Sequence, residues 1–170
     1  ISISSNGSGD GEFTFPLDAD IDSSGNVYVT DLESNRVQKF DSSGNFLSKW
    51  GTYGSGNGQF DQPAGVVIDP ENDIYIVELG NSRVQKFDSS GNFLAKWGTT
   101  GNGDSQFNQP AGITTDSTGN VFVTEAGNSR IQKFDSSGNF LAKWGTNGTA
   151  DSQFNSPYGI AIDSTNNIYV

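Results

Sequence analysis

The chain has 170 residues, of which 32% are hydrophobic, and it carries 22 glycines and a formal net charge of −11. It has no cysteine, which excludes disulfides and thiolate chemistry. Nine basic residues against twenty acidic ones oppose binding to a phosphate backbone, and no apolar run is long enough to cross a bilayer. We therefore expect no nucleic-acid partner and no membrane insertion.

The sequence repeats itself every 47 residues. The segment NSRVQKFDSSGNFLAKWGT at 81–99 returns as NSRIQKFDSSGNFLAKWGT at 128–146. Other anchors keep the same register: Phe13, Phe60, Phe107 and Phe154; Pro16, Pro63, Pro110 and Pro157; Trp50, Trp97 and Trp144. The predicted units are 4–50, 51–97, 98–144 and a partial unit 145–170, with residues 1–3 left over from the outer strand of a preceding unit.

Each unit predicts four short strands joined by turns. In the second unit these are AGVVID at 64–69, DIYIVE at 73–78, RVQKFD at 83–88 and NFLAKWG at 92–98. Loops rich in Gly, Asn, Asp and Ser separate them, as in antiparallel hairpins. The first two runs are continuously apolar and predict inner strands, whereas Lys and Gln alternate in the last two and predict outer strands with one face in water.

Such a unit cannot bury its faces alone, so copies must stack. Radial stacking of four-stranded units of this length predicts an all-β β-propeller, and a linear solenoid is the competing geometry. The chain holds about 3.6 blades, an incomplete arc or part of a larger ring. Three accounts fit: a fragment of a longer chain, copies that complete a ring, or head-to-tail polymerisation. We favour the fragment, because the ends ignore the blade boundaries.

The unit resembles the NHL repeat. The shared pattern is Phe, a variable pair, Pro, a small residue, Gly and an aliphatic strand, followed by DSSGNVYV and NSRVQKFDSSGNFLAKWG. The family's NHR tripeptide is SNR at 34–36 here and NSR in the later units. The resemblance implies a propeller, most often of six blades. It also implies that enzymatic relatives hold metal ions in the central channel through histidine or carboxylate ligands.

The chain has no histidine, so the usual zinc ligands are missing and we expect no cofactor and no metal site. Three DSSGN turns, beginning at Asp41, Asp88 and Asp135, look like the start of a calcium loop. Such a loop needs an acid at its twelfth position, where this chain has threonine. We therefore interpret each Asp as a cap of its turn.

An acid that ends the second strand recurs with an arginine that begins the third. The pairs are Asp31 with Arg36, Glu78 with Arg83, and Glu125 with Arg130. The hairpin places the two residues opposite each other, which predicts a structural ion pair that fixes the strand register. An exposed pair would contribute only about 0–1 kcal/mol. The alternative is a ring of such pairs that binds a polar ligand.

The tryptophans lie on the fourth strand, on the same face as Phe46, Phe93 and Phe140. An exposed aromatic stripe could stack on sugars or nucleobases, but we expect wedges between adjacent blades. Two sequons, Asn6 with Ser8 and Asn147 with Thr149, are candidate N-glycosylation sites.

Near-identity of the units leaves few unique residues for an asymmetric catalytic site, and the usual general base is missing, so we expect no enzyme activity. The first hypothesis is a non-enzymatic scaffold for protein–protein interaction or extracellular assembly, with another protein or further copies of the chain as partner. A glycan-binding or small polar ligand-binding propeller is the alternative. A metal-dependent lyase or hydrolase is third and would need unique acidic residues at the channel. The Ser-, Asn- and Gly-rich composition favours an extracellular or cell-surface location.

Overall fold

The computed structural model describes residues 6–170, and within them the chain forms strands and turns without a helix. The predicted strand remnant at residues 1–3 lies outside the described residues. The first sheet contains β1 (Pro16–Ile21), β2 (Val27–Asp31), β3 (Arg36–Phe40) and β4 (Phe46–Trp50). The second contains β5 (Pro63–Ile68), β6 (Ile74–Glu78), β7 (Arg83–Phe87) and β8 (Phe93–Trp97).

A short parallel pair, β9 (Thr99–Thr100) and β10 (Gln106–Phe107), lies in the connection to the third sheet. The third sheet contains β11 (Pro110–Thr115), β12 (Val121–Glu125), β13 (Arg130–Phe134) and β14 (Phe140–Trp144). Two short strands follow, β15 (Ala161–Ile162) and β16 (Ile168–Tyr169). Strand order in every four-stranded sheet is the chain order, so each sheet is an antiparallel meander and the predicted fold class is confirmed.

Aspartate side chains close the turns between strands. In the turn between β7 and β8, Asp88 Oδ1 accepts hydrogen bonds from the backbone N–H groups of Ser90 and Asn92, both at 2.9 Å. Gly91 supplies the left-handed conformation of the turn with φ 84°. Asp41 and Asp135 make the same contacts in their own turns, so these carboxylates cap turns as predicted.

The first strand of each four-stranded sheet contains a bulge just after its proline. In the second sheet Pro63 pairs with Glu78 and Val66 pairs with Ile76, so three steps along β5 match two along β6. The same shift occurs in the first and third sheets. The two residues inside each bulge leave the regular ladder and lie where the first strands meet.

The sheets stack through their first strands, β1 on β5, β5 on β11 and β11 on β15. Side chains of neighbouring sheets form shared clusters; Tyr28 and Val37 of the first sheet pack with Ile74 and Ile76 of the second. The first strand of each sheet thus contacts the first strand of the next sheet, so the first strands surround a common centre and the fourth strands lie away from it. This is the radial arrangement of propeller blades.

The third strands differ from the prediction. In β7 every residue except Lys86 is buried, and Gln85 is fully buried, although the Lys and Gln pattern predicted a water-facing strand. Gln85 is buried because its amide bonds to the chain that precedes its sheet, an interaction that strand periodicity does not encode. The fourth strands are exposed as predicted, with Leu47, Leu94 and Leu141 about half exposed.

Trp50 and Trp97 lie between adjacent sheets, as expected, whereas Trp144 contacts Phe122 of its own sheet. The ring of Trp50 is 5.9 Å from that of Phe87, and the ring of Trp97 is 5.8 Å from that of Phe134. In each pair the phenylalanine belongs to the following sheet. These aromatic contacts supply much of the apolar packing between blades.

Candidate functional site

The acid and arginine of each sheet face each other across the second hairpin. Glu78 is the register partner of Arg83, and Arg83 Nε lies 2.5 Å from Glu78 Oε1. The equivalent distances are 2.5 Å for Arg130 Nε to Glu125 Oε1 and 3.2 Å for Arg36 Nε to Asp31 Oδ2.

All three acids are fully buried and the arginines are no more than 7% exposed. The pairs therefore do not belong to the exposed class that contributes little. A buried pair depends on complete hydrogen bonding, because each charge has lost its water.

The guanidinium groups satisfy that requirement with backbone carbonyls of the loop that enters the sheet. Arg83 Nη1 donates to the Ser55 carbonyl at 2.6 Å, and Nη2 donates to the Gly56 and Gln59 carbonyls at 3.0 and 2.9 Å. Arg130 makes the same contacts with Asn102, Gly103 and Gln106. The ion pairs thus clamp the blade-connecting loops at 51–62 and 98–109.

A buried glutamine completes each clamp. Gln85 Nε2 donates to the Gln59 carbonyl at 2.7 Å and to Glu78 Oε1 at 2.9 Å, while its Oε1 accepts the Gly58 N–H at 3.0 Å. The equivalent residues are Gln38 and Gln132. These glutamines were not singled out from the sequence, although their recurrence two positions after each arginine was a signal that could have found them. With their polar atoms turned towards the loops, the pairs do not form an open ring of ligand-binding groups.

The sequon asparagines lie at the surface. Asn6 is exposed, and Asn147 is exposed with its Nδ2 3.2 Å from Ser129 Oγ. Their glycosylation remains a prediction.

The first strands enclose a cavity of about 260 Å³ at the centre of the arc. Its wall is mostly apolar, with Leu17, Ala64, Ala111, Ile113 and Tyr158. The bulge residues Asp18, Gly65 and Gly112 also line it, together with Gly159, which occupies the equivalent sequence position. Repeat symmetry is broken here, since one of four equivalent positions carries a carboxylate and the others carry glycine.

Asp18 also joins the first two sheets. Its Oδ2 accepts the Val66 N–H at 3.0 Å and its Oδ1 accepts the Ala19 N–H at 2.9 Å. Burial raises the pKa of Asp18, and these two hydrogen bonds lower it only in part. Asp20 bonds the Ile68 N–H in the same way, at 2.7 Å. The sequence contains a signal for these acids, because Asp18 and Asp20 align with Gly65 and Val67. The first strand varies between repeats, however, so the sequence alone did not show that Asp18 faces the channel.

A second break in symmetry lies next to the cavity. Thr30 Oγ1 donates to the Ala64 carbonyl of the next sheet at 2.8 Å, and Thr124 Oγ1 donates to the Tyr158 carbonyl at 2.7 Å. Val77 stands at the equivalent position of the second sheet, so the Ala111 carbonyl lacks the hydroxyl donor that its counterparts receive.

Four-stranded meanders that stack on bulged inner strands and clamp the loops between them define a repeat protein of the β-propeller class. A sequence model of the NHL repeat matches residues 13–40, 60–87 and 107–134. Protein lin-41 of Caenorhabditis elegans is 54% identical over 43 residues, which are 25% of this chain and 4% of that protein. The chain belongs to the NHL-repeat family.

Solved structures show the same fold at low sequence identity. Virginiamycin B lyase from Staphylococcus aureus has a TM-score of 0.67 at 19% identity, over 91% of this chain and 48% of that one. Kuenenia stuttgartiensis hydrazine synthase has a TM-score of 0.69 at 12% identity, over 91% and 40% of the two chains. The WD40 repeats of RRP9 have a TM-score of 0.62 at 10% identity, over 76% and 38%. The chain thus spans about half, or less, of the length of these structures.

Proposed function

We propose that this NHL-type propeller is a non-enzymatic scaffold that binds another protein through the rim formed by its blade-connecting loops. The observation that carries the proposal is Tyr53, which is 72% exposed on loop 51–62. The clamp of Arg83 and Gln85 holds the backbone of this loop in place. A large aromatic side chain on a rigid loop binds a protein surface at little entropic cost, which is why tyrosine is enriched in interface hot spots.

The rim also differs from blade to blade, unlike the third and fourth strands, which are nearly identical in the three sheets. Thr100 and Asn147 occupy the positions of Tyr53 in the next two units. Variation concentrated in loops on a repeated framework is typical of a recognition surface.

The test is to compare capture of partners by the wild type and by Tyr53→Thr, which gives the loop the residue of the third unit, Thr100. Chemical cross-linking of the protein in extract of its source organism, followed by mass spectrometry, identifies partners and cross-linked positions. We expect cross-links near loop 51–62 and a loss of capture of about tenfold or more in the variant. Leu47→Ala, on the outer strand β4, is the control and should retain capture. Equal capture by wild type and Tyr53→Thr would contradict the proposal.

Further copies of the chain are a second kind of protein partner in this proposal. Ile21 is 59% exposed, whereas Ile68, its equivalent in the second sheet, packs against the apolar cluster that the first and second sheets share. An edge of this kind could accept the matching surface of another copy. Sedimentation velocity at rising concentration should then show reversible association, and a single monomeric species at every concentration would count against it.

The proposal includes the absence of catalysis and an extracellular or cell-surface location. One solved neighbour is a catalytically inactive histidine-to-alanine variant of virginiamycin B lyase from Staphylococcus aureus with quinupristin, with a TM-score of 0.68 at 18% identity over 91% of this chain and 47% of that one. The 170 residues of this chain contain no histidine. We expect incubation with quinupristin to leave that compound unchanged by mass spectrometry. Immunodetection on intact cells of the source organism tests the location.

A further inference from the structure

The central cavity presents a carboxylate whose charge is incompletely balanced. Asp18 accepts hydrogen bonds from two backbone N–H groups, whereas an ionised carboxylate has about four acceptor positions. The ion pairs found within residues 6–170 use other carboxylates and none includes Asp18. Burial also raises the pKa of Asp18, because loss of water disfavours the charged form of the carboxylate.

Next to this carboxylate the wall is formed by backbone that packs closely between the second and third sheets. Ala111 and Gly65 both line the cavity, and the Ala111 carbonyl oxygen lies 2.8 Å from the point where a Cβ on Gly65 would stand. This carbonyl is the one that Val77 leaves without a hydroxyl donor. The cavity therefore combines one anionic acceptor with an apolar wall.

We propose that this cavity binds a small organic ammonium ion with a short apolar or aromatic tail. A primary ammonium group carries three donors and one positive charge, which matches an ionised carboxylate that still has free acceptor positions. The tail would lie against Leu17, Ala64 and Ile113. The net charge of −11 also favours the approach of a cation.

A metal ion fits the cavity less well. Calcium takes six to eight oxygen ligands, and within residues 6–170 no three acidic side chains converge on one point. A neutral ligand would leave the carboxylate charge unbalanced. The site is independent of the rim on which the proposed scaffold function rests.

The test uses phenethylammonium as the probe and 2-phenylethanol as its neutral analogue of similar shape. Titration of the full chain is followed by isothermal calorimetry and by backbone amide shifts in NMR. We expect saturable binding of phenethylammonium, with shifts at Gly65, Gly112 and Gly159. The alcohol should bind about tenfold or more weakly, because a charge-assisted hydrogen bond is lost.

Three variants locate the site. Asp18→Asn keeps an acceptor for the Val66 N–H but removes the charge, and should weaken ammonium binding by about tenfold or more. Gly159→Leu should abolish binding by filling the cavity that Gly159 lines, since a Cβ there would meet no atom of residues 6–170 within 4 Å. Asp20→Asn is the matched control: this carboxylate also joins β1 to β5 but does not line the cavity, so binding should be retained.

Wild-type binding that is lost in Asp18→Asn and Gly159→Leu and kept in Asp20→Asn supports the site. Equal affinity for ammonium and alcohol, unchanged binding by Asp18→Asn, or no saturable binding by the wild type would each overturn it. Circular dichroism of every variant shows whether the fold is intact. If Asp18→Asn fails to fold, Asp18→Gly, which restores the residue of the other repeats, replaces it in the same comparison.

Discussion

At the scale of single residues, the buried ion pairs explain why the repeat retains arginine at its third strand. Arg83 meets one carboxylate and three loop carbonyls at once, a task that suits the planar, multiply donating guanidinium group. The pair therefore connects the sheet to the loop before it, in addition to fixing hairpin register.

Removal of this arginine should be strongly destabilising. Arg83→Ala leaves Glu78 buried without its counter-charge, and we expect a loss of about 3–5 kcal/mol in the free energy of unfolding. Urea denaturation measures it. The control is Lys96→Ala, an exposed residue of β8, which should change stability by no more than about 0.5 kcal/mol. A loss below 1 kcal/mol for Arg83→Ala would show that the clamp is dispensable.

Val77 offers a substitution of the opposite kind. Threonine at this position can donate to the Ala111 carbonyl, as Thr30 and Thr124 do to their own partners. We expect Val77→Thr to stay within about 1 kcal/mol of the wild type or to be more stable. The control is Val84→Thr. Val84 is also fully buried, but its equivalents in the other sheets are Val37 and Ile131, so no repeat shows an acceptor for a hydroxyl at this position. We expect this variant to lose about 1–3 kcal/mol in the free energy of unfolding. Equal losses in the two variants, measured by thermal and urea unfolding, would contradict this assignment.

At the scale of the element, the turns between the first and second strands are held by acid side chains. Burial works against ionisation of Asp116, but hydrogen bonds from Asn120 and Thr118 outweigh it and lower the pKa of Asp116 to about 2. The pKa of Asp116 in the folded state thus lies below the ordinary value of about 3.9 that it has in the unfolded chain. Ionised Asp116 therefore stabilises the fold at any pH above about 3.9.

The stabilisation should disappear as the pH falls from about 4 towards 2. Asn120→Ala removes a donor to the ionised form, so the pKa of Asp116 should rise towards its ordinary value. Carbon-13 NMR titration of the Asp116 carboxyl measures this. Asn102→Ala, in a connecting loop, is the control; an unchanged Asp116 titration in Asn120→Ala would contradict the proposed cause.

Local pattern was sufficient to predict the strands but not the burial of every face. In β6, Ile74, Tyr75 and Ile76 form an apolar run that predicts a covered strand, and all three are fully buried. In β7, Gln85 looks like a solvent-facing residue, yet its partners lie in loop 51–62, about 26 residues earlier in the chain. Long-range hydrogen bonds of this kind leave no trace in period-two patterning, which is why the clamp and the cavity position of Asp18 emerged only from the structure.

At the scale of the whole molecule, each blade is stabilised by its contacts with the neighbouring blades. Trp97 lies between the second and third sheets, and its indole N–H is buried without a hydrogen-bond partner among residues 6–170. The indole is thus held there by packing. In a series of repeats, the interaction free energy at each interface between neighbours determines whether those two repeats unfold together.

Trp97→Ala should therefore uncouple the third sheet from the second. We expect a loss of about 3–5 kcal/mol and faster amide exchange in β11–β13 than in β1–β3, measured by hydrogen exchange with mass spectrometry. Leu94→Ala, on the exposed face of the same strand, should leave exchange in both sheets unchanged. Uniformly faster exchange across all sheets in Trp97→Ala would indicate a single cooperative unit instead.

The bulge glycines also determine the dimensions of the channel. Gly65 allows the Ala111 carbonyl to approach within 2.8 Å of the space a Cβ would need, so any larger residue there would push the second and third sheets apart. Asp18 is not under that constraint, since it already carries a side chain, and its carboxylate accepts the Val66 N–H of the next sheet at 3.0 Å. The inner strands therefore contain a glycine that sets the distance between the second and third sheets and, between the first and second sheets, a position that accepts a side chain. A substitution at that position can change the lining of the channel without changing the spacing of the sheets.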